Sequence, residues 1–325
     1  MTAASDAPGK TAGVKVAVIA GPTASGKSGL ALKLAREFNA EIISADSRQI
    51  YHQLKIGTDR LDKADQQGIP HHLMGTVDLG QRFTAFDFVR EAVSIIRDIN
   101  ARGKKTIICG GTGLYIRALI DGIFEIPDDD MSYRNYLIDL AAREGSLYLH
   151  RQLSEIDPEE AGQIHPQNSV RIIRALEIYH ITGKTKTELM KQTRPVADDL
   201  YYRQIILMPL RENLYKRIEA RVDQMIKAGL EAEVRSVYNS EAGPVLKEAR
   251  ILGYSELISY FEGDISRDEA IRLIKQNTRH YAKRQFTWFR AVKQAEVITR
   301  PGIENYDDCR LILQNFWAGD KWQKT

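Results

Sequence analysis

Residues 14–35, VKVAVIAGPTASGKSGLALKLA, decide the fold of this chain. The apolar, β-branched run at residues 14–20 predicts a buried strand, and the spaced leucines after Gly26 favour a helix packed on a sheet. Between them, GPTASGKS (residues 21–28) matches the phosphate-binding pattern G-x-x-x-x-G-K-[ST] in the strand–loop–helix context that the pattern requires. The backbone N–H groups of such a loop face an anion, with Lys27 as a point charge and Ser28 as a Mg²⁺ ligand. The segment predicts a phosphate site but leaves open which molecule carries the phosphate.

The composition is that of a globular protein without a global basic character. Of the 325 residues, 43% are hydrophobic and 27% are charged, and the formal net charge is only +3, so a nucleic-acid site must be a local patch. The two cysteines, Cys109 and Cys309, offer neither a disulfide framework nor a zinc cluster, which indicates a reducing compartment. No apolar stretch approaches the ~20 residues that span a bilayer. We therefore expect a cytoplasmic protein without membrane contact, beginning with a disordered tail at residues 1–13.

Strands and helices alternate over residues 14–122, which predicts an α/β fold: a P-loop NTPase-like parallel sheet flanked by helices. After the PDDD segment at 127–130 the pattern becomes helical, without a convincing strand, up to about residue 189. We therefore predict a catalytic core of residues 14–125 and 200–325, with an all-helical insertion domain at residues 126–199. Within the core we predict further strands at 40–46, 104–111, 202–208 and 295–299, and helices at 84–102, 114–120, 212–238, 249–261 and 267–291.

The second predicted strand delivers a carboxylate to the edge of the sheet where phosphates are expected. Strands of open α/β sheets present functional residues at their carboxyl ends, and ISADSRQIY (residues 43–51) places Asp46 there. Asp46 is a candidate metal ligand or general base, with an aspartate that caps a turn as the alternative. The strand that ends in GGTGLY (residues 110–115) carries no carboxylate. Its glycines serve either a tight turn or the close approach of a substrate, with Thr112 as a polar contact.

Basic residues recur on two predicted helices of the C-terminal half. TRHYAKRQFTWFR (residues 278–290) combines four cations with four aromatic side chains, and Arg279 and Lys283 share a face at i,i+4. Arg217 and Arg221 have the same spacing, so both could reach one anion. These faces are candidate contacts for phosphates of RNA or of a small ligand, or else solvated faces over a core stripe.

Six segments together resemble the successive motifs of the tRNA dimethylallyltransferase (isopentenyltransferase) family, in its compact bacterial form. They occur in the order of that family and cover roughly residues 14–295. The first segment suits any P-loop protein, whereas six in register are very specific. The segments are GPTASGKS (21–28), ISADSRQIYHQLKIGTDR (43–60), GGTGLYIRAL (110–119), RIIRALEIYHITGKT (171–185), RIEARVDQMIKAGLEAEV (217–234) and TRHYAKRQFTWFR (278–290).

The resemblance implies transfer of a dimethylallyl group from its diphosphate to N6 of the adenosine 3′ of the tRNA anticodon, with release of diphosphate. The phosphate loop would then hold the diphosphate of a prenyl donor and would not need ATP. Asp46 matches the general base, and Thr23 matches a residue that contacts the bridging oxygen of the donor. Arg217 and Arg221 match a diphosphate clamp, with roles that the sequence does not separate. The implied donor site, in which Ser28 holds Mg²⁺ and Lys27 is catalytic, consists of Gly21, Pro22, Thr23, Ala24, Ser25, Gly26, Lys27 and Ser28.

The resemblance also implies a tRNA site. The target adenine must leave the stack of the anticodon loop to meet the donor, and the Arg- and Lys-bearing insertion would clamp the anticodon stem. We expect a monomer whose partners are tRNA and dimethylallyl diphosphate. The residues implied to bind tRNA are Asp46, Ser47, Arg48, Gln49, Thr112, Arg171, Arg174, Gly253, Tyr254, Arg279 and Lys283.

Three other functions remain open from the sequence. An adenylate isopentenyltransferase would place the same prenyl group on AMP, ADP or ATP, but the basic residues of the insertion favour an RNA acceptor. A P-loop small-molecule kinase or ATPase would use ATP, although no clear Walker-B carboxylate is present. A P-loop module that binds RNA without catalysis would not need Lys27, Ser28 and Asp46 together.

Overall fold

The computed structural model describes residues 13–127, 131–300 and 302–319. The chain divides after Arg117 and again after Val196, so that Ala118–Val196 form one compact unit and the remaining described residues form the other. The tail predicted at residues 1–13 lies outside the described residues, except for Gly13, and so do the three aspartates at 128–130. No helix among the described residues is long and apolar enough to cross a membrane.

A six-stranded sheet lies at the centre of the first unit, in the order β3-β2-β4-β1-β5-β6. Every neighbouring pair in it is parallel, which confirms the predicted α/β fold. Strand β1 has the predicted bounds, and its residues 16–20 are buried because helices cover both faces of such a sheet. The strands are β1 Val14–Ala20, β2 Ala40–Ser44, β3 His71–His72, β4 Lys105–Gly110, β5 Leu200–Leu207 and β6 Glu296–Ile298.

Helices make up most of the remaining ordered structure, and a 3-10 helix at Gly302–Asn305 follows β6. The second helix begins as the sequence predicts, because Thr84 and Asp87 form a capping box at its N-terminus. The helices are α1 Lys27–Glu37, α2 Ala85–Ala101, α3 Gly113–Asp121, α4 Ser132–Glu144, α5 Ser146–Ile156, α6 Pro158–Gln163, α7 Ser169–Thr182, α8 Lys186–Gln192, α9 Arg211–Lys227, α10 Leu230–Tyr238, α11 Gly243–Glu248, α12 Tyr254–Phe261, α13 Arg267–Arg290 and α14 Tyr306–Ala318.

Two of the predicted helices are wrong in extent. The helix predicted at 249–261 begins only at Tyr254, because Arg250 (φ 44°) and Gly253 (φ 87°) adopt left-handed backbone conformations that no α-helix contains. The helix predicted at 212–238 is interrupted at Gly229, whose φ of 99° separates α9 from α10. The sequence interpretation also missed the two-residue strand β3 and the helix α14.

Two apolar clusters of the first unit bear on the site, one on a face of the sheet and the other among helices. The sheet cluster packs β1, β2, β4 and β5 against α1 and α14 and includes both cysteines, whose burial raises the pKa of Cys109 to about 11 and of Cys309 to about 12. The other cluster joins side chains of α9, α10, α11, α12 and α13 with Leu54 and Leu79. This helical cluster forms the apolar lining of the candidate site.

The second unit consists of helices around a core of its own. Leu137, Leu149, Leu153, Ile172 and Leu176 are buried at its centre, and its described residues contain no strand, as predicted for the insertion. Its boundaries at 117/118 and 196/197 differ from the 125/126 and 199/200 expected from the sequence. The residues of this core all belong to the unit itself.

Candidate active site

The phosphate loop joins the end of β1 to the start of α1. Gly26 precedes α1 with a φ of 84°, in the left-handed region that favours glycine, and Ala24 also has a positive φ of 61°. The first N–H groups of a helix have no partner within it, so the start of α1 offers donors to an anion. The backbone N–H of Gly302 donates to Ser25 O over 3.0 Å and ties the loop to the segment after β6. The loop predicted at residues 21–28 therefore has the backbone that phosphate binding requires.

Lys27 supplies the positive charge of the loop. Its ammonium donates to the carbonyl oxygen of Pro22, with Nζ and O 3.4 Å apart. Burial lowers the pKa of Lys27 below its ordinary value of 10.5, although the nearby Cys109 and Asp46 act in the opposite direction. An anion bound in the loop would favour the charged form and raise this pKa again.

Thr23 is held at two points by side chains that are distant in the sequence. Its backbone N–H donates to Gln285 Oε1 over 2.8 Å, and its hydroxyl oxygen accepts a hydrogen bond from Arg221 Nη1 over 2.8 Å. Arg221 also forms an ion pair with Asp59, Nη2 to Oδ2, at 3.3 Å. The orientation of the Thr23 hydroxyl is thus set by Arg221, and the orientation of Arg221 by Asp59.

Arg217 has a different environment from Arg221. A Cβ atom on Gly26 would lie 3.0 Å from Arg217 Nη2, so the guanidinium is beside the start of α1. No carboxylate among the described residues pairs with Arg217. The two arginines therefore differ in role: Arg221 is engaged with Thr23 and Asp59, whereas Arg217 offers an uncompensated charge next to the phosphate loop.

Asp46 uses only one of its two carboxylate oxygens within the protein. Its Oδ1 accepts hydrogen bonds from the backbone N–H groups of Arg48, over 2.9 Å, and Gln49, over 3.3 Å, so one oxygen caps the turn after β2. No described residue donates a hydrogen bond to Oδ2. The half-buried carboxylate is thereby fixed in orientation and keeps one oxygen available as a proton acceptor.

The glycines of GGTGLY serve packing within the protein. A Cβ on Gly110 would lie 2.1 Å from the carbonyl oxygen of Ala45, and one on Gly113 would lie 2.0 Å from Nε1 of Trp288. Thr112 is engaged in the same packing, since its Oγ1 accepts a hydrogen bond from the backbone N–H of Ser47 over 3.0 Å. Thr112 therefore positions the loop that follows Asp46.

A cavity of about 710 Å³ opens beside these groups and is lined by Thr23 and Asp46. Its apolar wall includes residues of the helical cluster, and its polar wall carries several cations. A volume of this size is typical of a small-molecule site. The cationic lining residues are Arg48, Arg221, Lys247, Arg250 and Arg284, and the apolar ones include Ile218, Val222, Met225, Leu230, Ile251, Ile258 and Ile274.

The family model described as IPP transferase matches residues 49–292, which span the loop after Asp46, Arg217 and Arg221 of α9, and all of α13. The chain belongs to the IPP transferase family. Among its relatives, tRNA dimethylallyltransferase 2 of Geotalea uraniireducens is 46% identical over 277 residues, which cover 85% of this chain and 89% of that protein. The tRNA dimethylallyltransferase of Geobacter metallireducens is 43% identical over 303 residues, covering 93% of this chain and 97% of the relative.

Solved structures of IPP transferases have the same fold. The full-length tRNA isopentenylpyrophosphate transferase of Bacillus halodurans is 35% identical, with a TM-score of 0.65 and coverage of 94% of this chain and 96% of that one. A eukaryotic dimethylallyltransferase acting on tRNA is 28% identical, with a TM-score of 0.76 and coverage of 96% and 81%. The resemblance inferred from the six motifs is confirmed.

Two of the residues expected to bind tRNA on α13 do not line the cavity of this IPP transferase. Arg279 forms an ion pair with Glu219 of α9, Nη1 to Oε1 at 2.6 Å, and Lys283, one turn further along α13, is exposed and does not line the cavity. The face of α13 that lines the cavity carries Tyr281 and Arg284 instead. Burial and the charge of Asp46 raise the pKa of Tyr281 to about 12.

Tyr254 cannot contact RNA through its side chain in this structure, which corrects the role implied by the motif. The residue is fully buried at 0% exposure, and its hydroxyl donates to Glu233 Oε1 over 2.5 Å. The Glu233 carboxylate also accepts the backbone N–H groups of Lys55 (3.1 Å), Ile56 (2.7 Å) and Gly57 (3.1 Å). Tyr254 and Glu233 thus fix the loop at 55–57, while Gly253 does line the cavity.

The side chains of Gln49 and Arg48 differ in whether they are bonded within the protein or open to a ligand. The Gln49 amide donates to the carbonyl oxygens of Thr58 (3.0 Å) and Asp59 (3.2 Å) and accepts from the hydroxyl of Ser44 (3.1 Å). It therefore connects the loop after Asp46 to the loop that holds Asp59. Arg48 is exposed, lines the cavity and has no ion-pair partner among the described residues, so it is open to a ligand.

The insertion is acidic, contrary to the basic clamp expected from the sequence. Residues 126–199 contain nine Lys and Arg against thirteen Asp and Glu, so the remainder of the chain carries 37 basic and 30 acidic side chains. Two predicted RNA contacts neutralise buried carboxylates, since Arg174 pairs with Glu177 at 2.6 Å and Arg171 with Glu160 at 3.4 Å. The positive excess of the chain therefore lies outside the insertion.

Three residues that shape the site were not identified from the sequence: Gln285, Glu233 and Asp59. Their partners are Thr23, the loop at 55–57 and Arg221, respectively, and each partner is distant in the chain. The sequence does carry a signal for Gln285, because this polar residue interrupts a stripe of apolar residues on α13. A buried amide without a neighbouring polar partner on its own helix must bond to another element.

Proposed function

We propose that this IPP transferase transfers a dimethylallyl group from dimethylallyl diphosphate to N6 of the adenosine 3′ of a tRNA anticodon. The observation that carries the proposal is the common cavity of Asp46 and Thr23, which places a carboxylate with one available oxygen beside a phosphate loop. Relatives of 43–46% identity are named tRNA dimethylallyltransferases. This combination suits a reaction in which a diphosphate leaves as a proton is removed from the acceptor.

The donor diphosphate would bind at the start of α1. The N–H groups of the loop, the Lys27 ammonium and the Arg217 guanidinium present positive charge there. When the allylic C–O bond breaks, its electron pair leaves with the diphosphate, and negative charge grows on the bridging oxygen. Preorganised donors stabilise such developing charge, which is commonly the largest single contribution to catalysis. The Thr23 hydroxyl, oriented by Arg221, would contact that oxygen.

Asp46 would act as the general base. As N6 of adenine forms its bond to the allylic carbon, the proton of N6 passes to Asp46 Oδ2, the oxygen to which no described residue donates. The two backbone hydrogen bonds to Oδ1 hold the carboxylate in place during this transfer. General-base assistance of this kind contributes about 10²–10⁴ in rate.

Mg²⁺ is proposed as the metal that accompanies the diphosphate. The donor set of the loop fits it, because Mg²⁺ is commonly bound through one or two protein oxygens together with phosphate oxygens and waters. Ser28 would contribute the hydroxyl, as the sequence predicts, and no cluster of three His, Cys, Asp or Glu residues in the described chain offers a competing site. When bound, the ion would neutralise charge on the leaving diphosphate.

An adenine extruded from the anticodon loop would enter the cavity from the side of Arg48. The cations Arg48, Arg250 and Arg284 line that cavity and would meet phosphates that flank the extruded base. Arg171, which is more exposed than Arg174, remains a proposed contact of the anticodon stem. A free mononucleotide would leave most of these cations without a partner, which favours RNA over AMP as the acceptor.

The test is a transfer assay with labelled dimethylallyl diphosphate and Mg²⁺. Unmodified tRNA with adenosine 3′ of its anticodon is compared with AMP and ATP as acceptors under the same conditions. We expect label in tRNA only. Label in the mononucleotide would instead establish an adenylate isopentenyltransferase, and consumption of ATP without transfer of label would establish a kinase or ATPase.

A further inference from the structure

Gln285 is a buried amide on α13 whose two ends contact two different parts of the site. It is only 7% exposed and lies on the same face as the buried Ala282, Phe286 and Phe289. Its Oε1 accepts the backbone N–H of Thr23 over 2.8 Å, and its Nε2 donates to the carbonyl oxygen of Gly111 over 2.9 Å. The side chain therefore bridges the phosphate loop and the carboxyl end of β4.

The surroundings leave room for this amide only because residue 111 is glycine. A Cβ atom there would lie 2.5 Å from Gln285 Nε2, closer than any non-bonded contact allows. The amide presents an acceptor to one backbone group and a donor to the other, which no carboxylate or hydrocarbon side chain of similar length can reproduce. The bridge between Thr23 and Gly111 thus requires an amide side chain at position 285 and a glycine at position 111.

The bridge joins the half of the site that would bind the donor to the half that would bind the acceptor. Gly111 precedes Thr112, whose hydroxyl oxygen accepts the backbone N–H of Ser47, next to Asp46. On the other side, Thr23 is also held through its hydroxyl by Arg221. Gln285 therefore fixes the position of Thr23 relative to the end of β4, which contacts the loop of Asp46 through Thr112.

We propose that Gln285 is a positioning residue, which acts through Thr23 to set the donor diphosphate at the correct distance from Asp46. This inference rests on the proposed function, since it takes the anion of the phosphate loop to be the donor. The Thr23 N–H is committed to Gln285 and is not available to the diphosphate, so the loop binds the donor with its remaining N–H groups. Loss of the bridge would let Thr23 and its hydroxyl shift, without removing any group that contacts the substrates.

Two variants test the bridge from opposite sides. Gln285→Met keeps the length of the side chain and removes both hydrogen bonds, whereas Gly111→Ala keeps Gln285 and displaces its amide through the added Cβ. Because small misplacements of reacting groups are costly, we expect either variant to lower kcat by roughly 10- to 100-fold. We expect the Kd for inorganic pyrophosphate to rise about fivefold and the KM for tRNA to stay within about twofold. Thr287→Ala, an exposed position on the same helix, is the matched control and should leave all three quantities unchanged.

The measurements are steady-state transfer kinetics for both substrates, calorimetric titration with pyrophosphate, and thermal unfolding of each variant. A fall in kcat with a weaker pyrophosphate site and an unchanged KM for tRNA, seen in either variant, supports the positioning role. Unchanged kcat and pyrophosphate affinity in a folded Gln285→Met protein would overturn it, and so would a parallel loss of affinity for tRNA, which indicates general damage. If the wild-type protein binds pyrophosphate but transfers no prenyl group, the proposed function fails, and the pyrophosphate titrations still decide the role of Gln285.

Discussion

Arg221 donates a hydrogen bond to the hydroxyl oxygen of Thr23 over 2.8 Å, although 198 residues separate them in the chain. The contact brings the helical cluster of α9–α13 to the phosphate loop at the end of β1. It also distinguishes Arg221 from Arg217, which lies beside Gly26 without a carboxylate partner among the described residues. The site is therefore assembled from two substructures, and its arginines have separate tasks.

The separation of the arginines predicts different kinetic defects. Arg221→Lys removes the planar fork that bonds Thr23 and Asp59 together, so we expect kcat to fall by roughly 10- to 100-fold. Arg217→Lys keeps a charge beside the loop, so its main effect should be a KM for the donor raised by about 10-fold or less. Steady-state kinetics with varied dimethylallyl diphosphate distinguish the two. Equal effects of both substitutions on kcat and KM would show that the arginines form one clamp.

The lowered pKa of Lys27 predicts a pH dependence of donor capture. Above this pKa the ammonium loses its proton and its attraction for diphosphate, so kcat/KM for the donor should fall as the pH rises, beginning below 10.5. The measurement is a pH profile of kcat/KM for dimethylallyl diphosphate at saturating tRNA. In Lys27→Arg, the guanidinium stays charged throughout, and this descending limb should disappear even if the rate is lower. Persistence of the limb in that variant would assign it to another group.

The burial of Tyr254 predicts a defect in stability without a defect in RNA binding. Tyr254→Phe removes one of the four hydrogen bonds that Glu233 accepts, which we expect to lower the free energy of unfolding by about 1–2 kcal/mol. The KM for tRNA should remain within about twofold of the wild-type value, because no surface of the residue is accessible. Denaturant unfolding and transfer kinetics test both parts. Tyr238→Phe, which removes the hydroxyl bonded to the exposed Glu262, is the control for loss of a tyrosine hydrogen bond.

The charge distribution predicts where tRNA affinity originates. Arg284 lines the cavity and has no carboxylate partner among the described residues. Arg284→Ala should therefore weaken tRNA binding several-fold and lower the number of counterions released on binding by about one. In contrast, Arg174→Ala should mainly destabilise the insertion, because it deprives the buried Glu177 of a partner. Binding titrations at several salt concentrations, combined with thermal unfolding, separate the two outcomes. If a folded Arg174→Ala protein lost more tRNA affinity than Arg284→Ala, Arg174 would be the RNA contact.

Much of the fold was predictable because its signals are local. The strand at 14–20, the glycine-bearing loop and the start of the helix at Thr84 are each encoded by a few neighbouring residues, and all lie where the sequence places them. The two-residue strand β3 has no such signal, since it is defined only by its pairing with β2. The helix α12 was extended too far because the left-handed conformations at Arg250 and Gly253 interrupt a run that otherwise has helical character.

The site was predictable in its residue types but only partly in their roles. Asp46 and the phosphate loop follow from strand ends and a motif, which the parallel sheet places at one edge. The hydrogen bonds of Tyr254 to Glu233 and of Thr23 to Gln285 join parts of the chain that are distant in sequence, and no residue spacing reveals them. The excess of acidic over basic residues in the insertion is visible in the sequence. The prediction of a basic clamp was wrong because it considered the Arg and Lys residues without the Asp and Glu residues beside them.

The central claim is that Asp46 removes the proton from an adenine of tRNA while the phosphate loop holds the leaving diphosphate. The most direct test is the single-turnover rate of prenyl transfer to tRNA by Asp46→Asn, with enzyme and donor both saturating. Asp65→Asn, an exposed carboxylate substitution, is the matched control. We predict a rate lower by about 10²–10⁴ for Asp46→Asn and unchanged for the control, with donor and tRNA affinities retained. A transfer rate for Asp46→Asn equal to that of the wild type would contradict the account.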